Sequence, residues 1–280
     1  MTNLGQPRRF TSAAATGEAY DHGAHVTAWT PAGQQPVLWM SAASGLDDTA
    51  PIRGGVPVCW PWFGPGRTKD LSPAHGFARV SPWSFQGMTE ADDQVTATWT
   101  LTDGQATNDR FPQPYAATFT ATFGAELELV LTVENTGDED FSYEEALHTY
   151  LAVGDIREVT VTGLDGASYL DKAPGAGPDP VVQQGDITFA GETDRVYASS
   201  APVTVVDPVG GRTITVTTTG AANTVVWNPW IAKAAAMLDF GDDEWQGMIC
   251  VEGANALDNA VVLPPGGTHT LVYRLTVAAL

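Results

Sequence analysis

The sequence predicts an all-β protein built as a large antiparallel sandwich, and three observations support that prediction. Apolar and polar residues alternate with a period of two in many segments, as in strands with one buried face. Threonine, valine and aromatic residues fill these segments, while glycine, aspartate and asparagine separate them. The segments also recur roughly every ten residues, a spacing typical of antiparallel sandwiches.

Individual elements can be placed along the chain from the same pattern. The alternation is clearest in five segments: 95–102, 117–123, 126–133, 213–218 and 270–277. The sequence FGAE lies between the second and third of them, and ENTGDED follows the third, both with turn residues. Residues 228–238 predict the one helix, with Asn228 as its N-cap and Pro229 at its first helical position. The proline- and glycine-rich segment 174–180 predicts a surface loop.

The length and composition indicate a single domain. The chain has 280 residues, which exceeds the usual domain size, but all-β sandwiches of this length often form one unit. Hydrophobic residues make up 43% of the chain and include nine tryptophans, so a large core can be buried. We therefore expect residues 1–280 to form one domain.

The charge of the chain limits its partners. There are 33 acidic and 13 basic side chains, a net charge of −20, whereas nucleic-acid binding requires a broad basic face. The first residues contain no apolar signal-peptide core, and no run approaches 18 apolar residues. Cys59 and Cys250 lie in apolar segments and form no CxxC motif, so we expect buried free thiols. These features predict a cytoplasmic protein, expected to be a monomer, that binds neither nucleic acid nor membranes.

One basic segment, residues 53–79, stands out in this acidic chain. It contains Arg53, Arg67, Lys69 and Arg79 but only one acidic residue, Asp70, and it is rich in aromatic residues, glycine and proline. The planar fork of arginine suits phosphate or carboxylate. The segment therefore suggests a pocket for a small anion that carries a ring-like body. The alternative is that these arginines are solvated or paired with some of the acidic residues.

The five histidines differ in their surroundings. His22 and His25 lie near a turn and favour structural roles, and His269 is expected to cap a turn before the last strand. His75 lies inside the basic segment, and His148 lies in a strand whose alternation is broken by polar residues. A strand histidine is more often structural than catalytic. No HxH or HxxxH pair with a nearby carboxylate occurs, so we expect no metal site.

Two acidic residues are candidates for chemistry. Glu252 directly follows the apolar run MICV, so its side chain is expected to enter a poorly solvated place. Desolvation would raise the pKa of its carboxyl group towards the range useful to a general base. The alternative is a strand-end glutamate that faces water. Asp194, next to Arg195, would ordinarily be interpreted as a turn residue.

Longer motifs resemble one known family. The matching segments are GAHVTAWTPAGQQPVLWMS (23–41), PIRGGVPVCWPWFGP (51–65), HGFARVSPW (75–83), EALHTYLAVGDI (145–156), GLDGASYLDK (163–172), ETDRVY (192–197), VVWNPWIAKAAAMLDFGDDEW (225–245) and ICVEGAN (249–255). In this order, and over nearly the whole chain, they are similar to the hexose-6-phosphate mutarotases (glucose-6-phosphate 1-epimerases), a branch of the aldose 1-epimerase superfamily. The resemblance implies a galactose-mutarotase-like β-supersandwich, with large antiparallel sheets, little helix and a sugar cleft on one sheet.

The resemblance also implies roles for particular residues. His148 matches the general acid and Glu252 the general base. Asp194 matches an acidic residue that holds sugar hydroxyls, and His75 a histidine near C1 of the sugar. The family's arginines that grip the 6-phosphate correspond to two residues of the basic segment: Arg53 and Arg79. The family's VEP motif reads Val251-Glu252-Gly253 here, so we expect a looser loop behind the base.

The implied reaction is the interconversion of α and β anomers of a hexose 6-phosphate, with glucose 6-phosphate the expected substrate. The C1–O5 bond must open to an aldehyde, C1 must rotate, and the ring must reclose on the other face. A base takes the O1 proton and an acid protonates O5, with the two groups expected on opposite sides of the ring. No cofactor or metal is expected. Two alternatives remain open: an epimerase of unphosphorylated aldoses, and a non-catalytic carbohydrate-binding sandwich.

Overall fold

The structure of the protein is a computed structural model, and it describes residues 4–48 and 50–280. The strands in chain order are β1 (Arg8–Thr11), β2 (Ala15–Tyr20), β3 (His25–Pro31), β4 (Val58–Cys59), β5 (Ser84–Ala91), β6 (Gln94–Thr102), β7 (Tyr115–Phe123), β8 (Leu127–Asn135), β9 (Phe141–Tyr143), β10 (Glu145–Leu147), β11 (Tyr150–Ala152), β12 (Thr160–Thr162), β13 (Ser168–Asp171), β14 (Val181–Val182), β15 (Ile187–Thr188), β16 (Thr193–Tyr197), β17 (Val203–Asp207), β18 (Arg212–Thr219), β19 (Asn223–Asn228), β20 (Met248–Asn255), β21 (Val261–Leu263) and β22 (Thr268–Ala279). Helical segments are one short α-helix, α1 (Trp230–Ala236), and three 3₁₀ turns: Ala78–Val80, Glu244–Gly247 and Leu257–Asn259.

Two large antiparallel sheets dominate the structure. Nine strands form one sheet in the order β15-β12-β17-β18-β22-β8-β7-β6-β5. Eight strands form the other in the order β14-β13-β16-β19-β20-β10-β4, with β11 also paired to β20. Smaller sheets comprise β1-β2-β3 and β21-β9. The predicted all-β class with large antiparallel sheets and little helix is confirmed.

The segments with alternating apolar and polar residues form strands that bury one face. In β6, β7 and β8, buried and partly exposed residues alternate along nearly the whole strand, because successive side chains point to opposite faces. The five predicted strands are all present, and each is longer than the alternation indicated. Hydrogen bonding extends pairing to the strand ends, for example to Arg212↔Ala279 between β18 and β22.

The buried faces of the two large sheets share one hydrophobic cluster. The cluster contains Leu129 and Tyr273 from the nine-stranded sheet and Val226 and Val251 from the eight-stranded sheet. A hydrogen bond also links the sheets, since the Tyr273 hydroxyl donates to the carbonyl oxygen of Val251 at 2.7 Å. The centre of the eight-stranded sheet is thus held against the other sheet from behind. The opposite face of the eight-stranded sheet is therefore available for a functional site.

The predicted helix is shorter than expected. It begins at Trp230, with Pro229 in the N-cap position, and ends at Ala236. Asn228 is the last residue of β19 and not the N-cap. Its amide nitrogen donates to the carbonyl oxygens of Trp245 and Met248, and its side-chain oxygen accepts the N–H of Trp230 at 2.9 Å. The side chain therefore ties the end of the strand to two neighbouring segments.

Several smaller predictions can be checked against the structure. The turn-capping role of His269 is wrong: the residue lies within β22, and its Nε2 is 3.0 Å from a carboxylate oxygen of Glu145. His25 has the predicted structural role, because it is buried and its Nε2 hydrogen-bonds the carbonyl oxygen of Gly54 at 2.8 Å. Cys59 and Cys250 are buried free thiols, as predicted. Within the described residues, no helix has the length and apolar character needed to cross a bilayer.

Candidate active site

A cavity of about 250 Å³ is lined by all six residues that the sequence nominated. They come from distant parts of the chain: Arg53, His75, Arg79, His148, Asp194 and Glu252. Other lining residues were not nominated, notably Lys172, Lys233 and Trp227. Because β19 and β20 supply Trp227 and Glu252, the cavity lies over the centre of the eight-stranded sheet.

Strand pairing brings the candidate acid and base together. Tyr150 of β11 pairs with Cys250 of β20, and the antiparallel register places His148 opposite Glu252. His148 Nδ1 lies 3.2 Å from Glu252 Oε1. The imidazole also stacks on the Tyr150 ring, with centroids 4.8 Å apart and planes 6° from parallel. Adjacent strands thus make the two groups neighbours, and their expected arrangement on opposite sides of a sugar ring stays a prediction.

Burial shifts the pKa values of Glu252 and His148 in opposite directions. Glu252 is 1% exposed and His148 7% exposed. Burial, reinforced by repulsion from Asp194, raises the pKa of Glu252 well above its usual value. Burial, together with the positive charges of Arg79 and Arg53, lowers the pKa of His148 well below its usual value. The predicted poorly solvated place for Glu252 is confirmed.

His75 lies beside this pair in a defined protonation state. Its ring is 5.6 Å from that of His148 and meets the Phe63 ring edge-on at 4.8 Å, measured between centroids. Burial and the charge of Arg79 lower its pKa well below the usual value, so the ring is neutral. Since Nδ1 accepts the backbone N–H of Gly64 at 3.2 Å, the proton is assigned to Nε2. His75 is thus a neutral hydrogen-bond donor at the cavity wall.

Two of the four cavity cations are already paired with carboxylates. Arg53 donates from Nε and Nη2 to Asp239 Oδ2 at 3.2 and 3.0 Å and from Nη1 to the Tyr150 hydroxyl at 2.8 Å. Lys233 Nζ lies 2.9 Å from Glu192 Oε1 and 3.7 Å from Asp194 Oδ2. The charges of Arg53 and Lys233 are therefore largely compensated before any ligand arrives.

The other two cations have no carboxylate partner in the part of the chain that the structure describes. Arg79 donates from Nη2 to the carbonyl oxygen of Ala74 at 2.6 Å, and its Nε is buried without a hydrogen-bond partner among residues 4–48 and 50–280. Lys172 Nζ lies 4.9 Å from the centroid of the Phe63 ring. The uncompensated positive charge of the cavity therefore comes from Arg79 and Lys172.

Sequence analysis did not assign a role to Lys172, because it lies far in the chain from the basic segment 53–79. It directly follows β13, which pairs with β16, and its backbone N–H donates to the Asp194 carbonyl oxygen at 2.7 Å. That pairing brings it into the cavity. The same pairing shows that Asp194 lies within a strand and not in a turn. The available sequence signal for Lys172 was its position at the end of the matching motif GLDGASYLDK, as Asp194 lies inside the motif ETDRVY.

Gly253, the departure from the VEP motif, does not lie in a loop. It is within β20 and pairs with Leu147 on one side and Thr224 on the other. A Cβ atom at this position would lie 2.7 Å from Thr218 Cγ2 of the facing sheet, too close for an unperturbed fit. The expected loosening is therefore wrong: the strand behind Glu252 is paired on both edges, and glycine allows the two sheets to approach closely.

Comparison with known proteins places this geometry in a family. The family profile described as aldose 1-epimerase matches residues 10–276. A curated Escherichia coli (strain K12) protein provisionally named glucose-6-phosphate 1-epimerase is 39% identical over 257 residues, which cover 91% of this chain and 85% of that protein. This chain belongs to the aldose 1-epimerase family. It is accordingly an isomerase, an epimerase that acts on carbohydrate.

Solved structures agree with this membership. The YeaD protein of Salmonella typhimurium, provisionally described as a mutarotase, superposes with a TM-score of 0.89 and 33% identity, covering 97% of this chain and 90% of that one. A galactose mutarotase-like protein from Lactobacillus casei ATCC 334 superposes with a TM-score of 0.73 at 14% identity, covering 97% of this chain and 100% of that one. The more distant similarity shows the fold alone, and the aldose 1-epimerase family member described here has that galactose-mutarotase-like fold.

Proposed function

We propose that this epimerase interconverts the α and β anomers of a hexose 6-phosphate, with glucose 6-phosphate as the expected substrate. The observation that carries the proposal is the pair of uncompensated cations, Arg79 and Lys172, in the cavity of a chain with net charge −20. An acidic protein repels anions at long range, so two unpaired cations beside a buried acid–base pair favour an anionic ligand. The name of the Escherichia coli relative supports the same substrate.

The proposed chemistry uses Glu252 and His148 as base and acid. The anomeric hydroxyl oxygen and the ring oxygen are bonded to the same carbon, C1, so the groups that serve them must lie close together. The 3.2 Å separation of His148 Nδ1 and Glu252 Oε1 meets that requirement. Burial favours the protonated carboxyl and the neutral imidazole, so ring opening requires that proton to pass from Glu252 to His148. Glu252 then takes the O1 proton while His148 delivers one to O5, and the roles reverse when the ring recloses on the other face.

One proton on the pair is sufficient for this cycle. The pair begins and ends each turnover with the same number of protons, so no net proton exchange with solvent is required. Glu252 Oε2 and His148 Nδ1 are both buried without a hydrogen-bond partner among the described residues. Sugar oxygens that bind over the pair would supply the missing partners, which favours the bound ligand over an empty cavity.

The remaining site residues are proposed as substrate ligands. Arg79 and Lys172 would neutralise the phosphate, helped by Arg53, which keeps two of its five N–H donors after three hydrogen bonds. Asp194 is proposed to accept hydrogen bonds from sugar hydroxyls, since Lys233 holds its carboxylate at the cavity. His75 would donate from Nε2 to a sugar oxygen near C1.

The proposal is tested by comparing two substrates that differ only at C6, where one carries a phosphate and the other a hydroxyl. Anomer exchange of glucose 6-phosphate and of glucose would be followed by NMR, with the uncatalysed exchange subtracted. Two charge-assisted hydrogen bonds of about 1.5–3 kcal/mol each predict a kcat/KM higher for the phosphate by about 10²-fold or more. Equal or better turnover of glucose would favour an aldose 1-epimerase of neutral sugars. Binding without turnover of either would favour a carbohydrate-binding sandwich.

We also infer that residues 1–280 work as one mutarotase-like domain, as a monomer, in the cytoplasm and without nucleic-acid or membrane partners. Support comes from the hydrophobic cluster shared by the two sheets, the two free thiols and the net charge of −20. A single cooperative unfolding transition and a monomer mass by light scattering would be the expected results. Two separate transitions would contradict the single domain.

A further inference from the structure

Three side chains that can bind a metal ion lie close together at the cavity. Cys250 and Glu252 are two residues apart on β20 and therefore point to the same face of the sheet. His148 comes from the neighbouring chain segment, opposite Glu252. One ligand atom from each residue, a ring nitrogen, a thiol sulfur and a carboxylate oxygen, lies within 4.8 Å of the other two. β20 and the break between β10 and β11, which contains His148, thus bring three different donor types close together.

These donors are the ones that zinc prefers. Zn²⁺ binds cysteine sulfur at about 2.3 Å and histidine nitrogen or carboxylate oxygen at about 2.0–2.2 Å, in tetrahedral geometry. Such bonds place neighbouring ligand atoms roughly 3.3–3.6 Å apart. The 3.2 Å separation of His148 Nδ1 and Glu252 Oε1 is already close to this, and the Cys250 sulfur would need to approach by about 1.5 Å at most. His148 and Glu252 line the cavity, so the fourth position opens into it.

The group also has unmet bonding capacity. His148 Nδ1 and Glu252 Oε2 are buried side-chain atoms without a hydrogen-bond partner in the described chain. The −20 net charge raises the local concentration of cations around the protein. Arg79 and Lys172 oppose a dication in the same cavity, so the affinity is expected to be lower than that of a structural zinc site. The site is therefore suited to reversible occupation.

We propose that His148, Cys250 and Glu252 bind Zn²⁺, and that the bound ion inhibits the epimerase by removing both proton-transfer groups. Binding releases to solvent the thiol proton of Cys250 and the proton that His148 or Glu252 carries, and no oxidation is involved. The inhibition rests on the proposed function, whereas the binding does not. Zinc and the sugar compete, because both require the same pair.

The test uses the two buried cysteines as a matched pair. Wild-type protein, Cys250→Ala and Cys59→Ala would be titrated with Cd²⁺, whose bond to thiolate gives an ultraviolet absorption band. They would also be titrated with Zn²⁺ by calorimetry and in the anomer-exchange assay. Wild type and Cys59→Ala should show the band and chelator-reversible inhibition. Cys250→Ala should turn over normally without metal, lose the band and need about tenfold more zinc for half-inhibition.

The outcomes distinguish failure of the metal site from failure of the proposed epimerase reaction. No cadmium–thiolate band in wild type, or an unchanged zinc affinity in Cys250→Ala, overturns the site. If Cys250→Ala does not fold, His148→Asn gives the second test, because loss of the nitrogen ligand should weaken Cd²⁺ binding while leaving the thiol in place. A wild-type protein that binds Cd²⁺ through thiolate but interconverts no sugar anomers would overturn the proposed function and leave the metal site standing.

Discussion

Replacement of Lys172 by methionine separates substrate recognition from catalysis in this cavity. Methionine keeps an unbranched apolar stem that can pack on the Phe63 ring while it removes the charge. Lys172 has no carboxylate partner among the residues described, so its loss leaves no buried acid unpaired. We therefore expect Lys172→Met to weaken binding of the sugar phosphate and to leave the stability of the fold nearly unchanged.

The magnitude follows from the contact that the charge would make. A hydrogen bond to a charged group contributes about 1.5–3 kcal/mol, and 1.4 kcal/mol is a factor of ten in binding. The variant should therefore raise KM for glucose 6-phosphate by about 10–100-fold. KM for glucose should change less than about threefold, since its C6 hydroxyl carries no charge. Lys172→Arg should retain most of the affinity.

Two comparison variants sharpen this measurement. Lys69→Met removes an exposed lysine that does not line the cavity, so it changes net charge equally and should leave KM unaffected. Arg53→Met should cost stability as well as affinity, because it leaves Asp239 and the Tyr150 hydroxyl without their guanidinium partner. That loss predicts about 1–3 kcal/mol less unfolding free energy in a denaturant titration.

One result would refute this reasoning. Lys172 also lowers the pKa of Glu252 against the larger effect of burial, so a Lys172 that held no phosphate would act through the base alone. Such an effect would reduce turnover of glucose and glucose 6-phosphate by the same factor. Equal losses on both substrates, with KM unchanged, would show that Lys172 holds no phosphate.

Three further predictions concern the acid–base pair and the fold. Glu252→Gln and His148→Asn should each lower kcat by about 10²-fold or more with little change in thermal stability, and unchanged turnover in either would remove that residue from the mechanism. With a chelator present, kcat/KM should be bell-shaped with pH, because losing the shared proton removes the acid and gaining a second removes the base; a flat profile would contradict this. The pKa of His269 is raised by its hydrogen bond to Glu145, so this pair stabilises the fold below the unfolded-state pKa and loses that contribution as pH rises through the folded-state pKa. Wild type should therefore lose more unfolding free energy than His269→Gln over that window in denaturant titrations, and parallel pH curves for the two proteins would exclude this contribution.

The sequence by itself determined the class of fold. Strand alternation is a local property, because successive side chains of a strand face opposite sides. It can therefore be seen directly in the sequence of segments such as 95–102 and 117–123. It left the ends of strands undetermined, since those depend on the length of the partner strand. It also misplaced His269, whose position in β22 is set by pairing with β8, more than a hundred residues away in the chain.

The resemblance nominated six cavity residues, but only the tertiary structure decided their charge and mutual geometry. A guanidinium is the same in any sequence, yet Arg53 is compensated because Asp239 folds against it, and Lys172 is not. Likewise, the register between β11 and β20 makes His148 a neighbour of Glu252. Electrostatic interactions act through space and depend steeply on distance and burial. Neither quantity can be obtained from the order of residues in the chain.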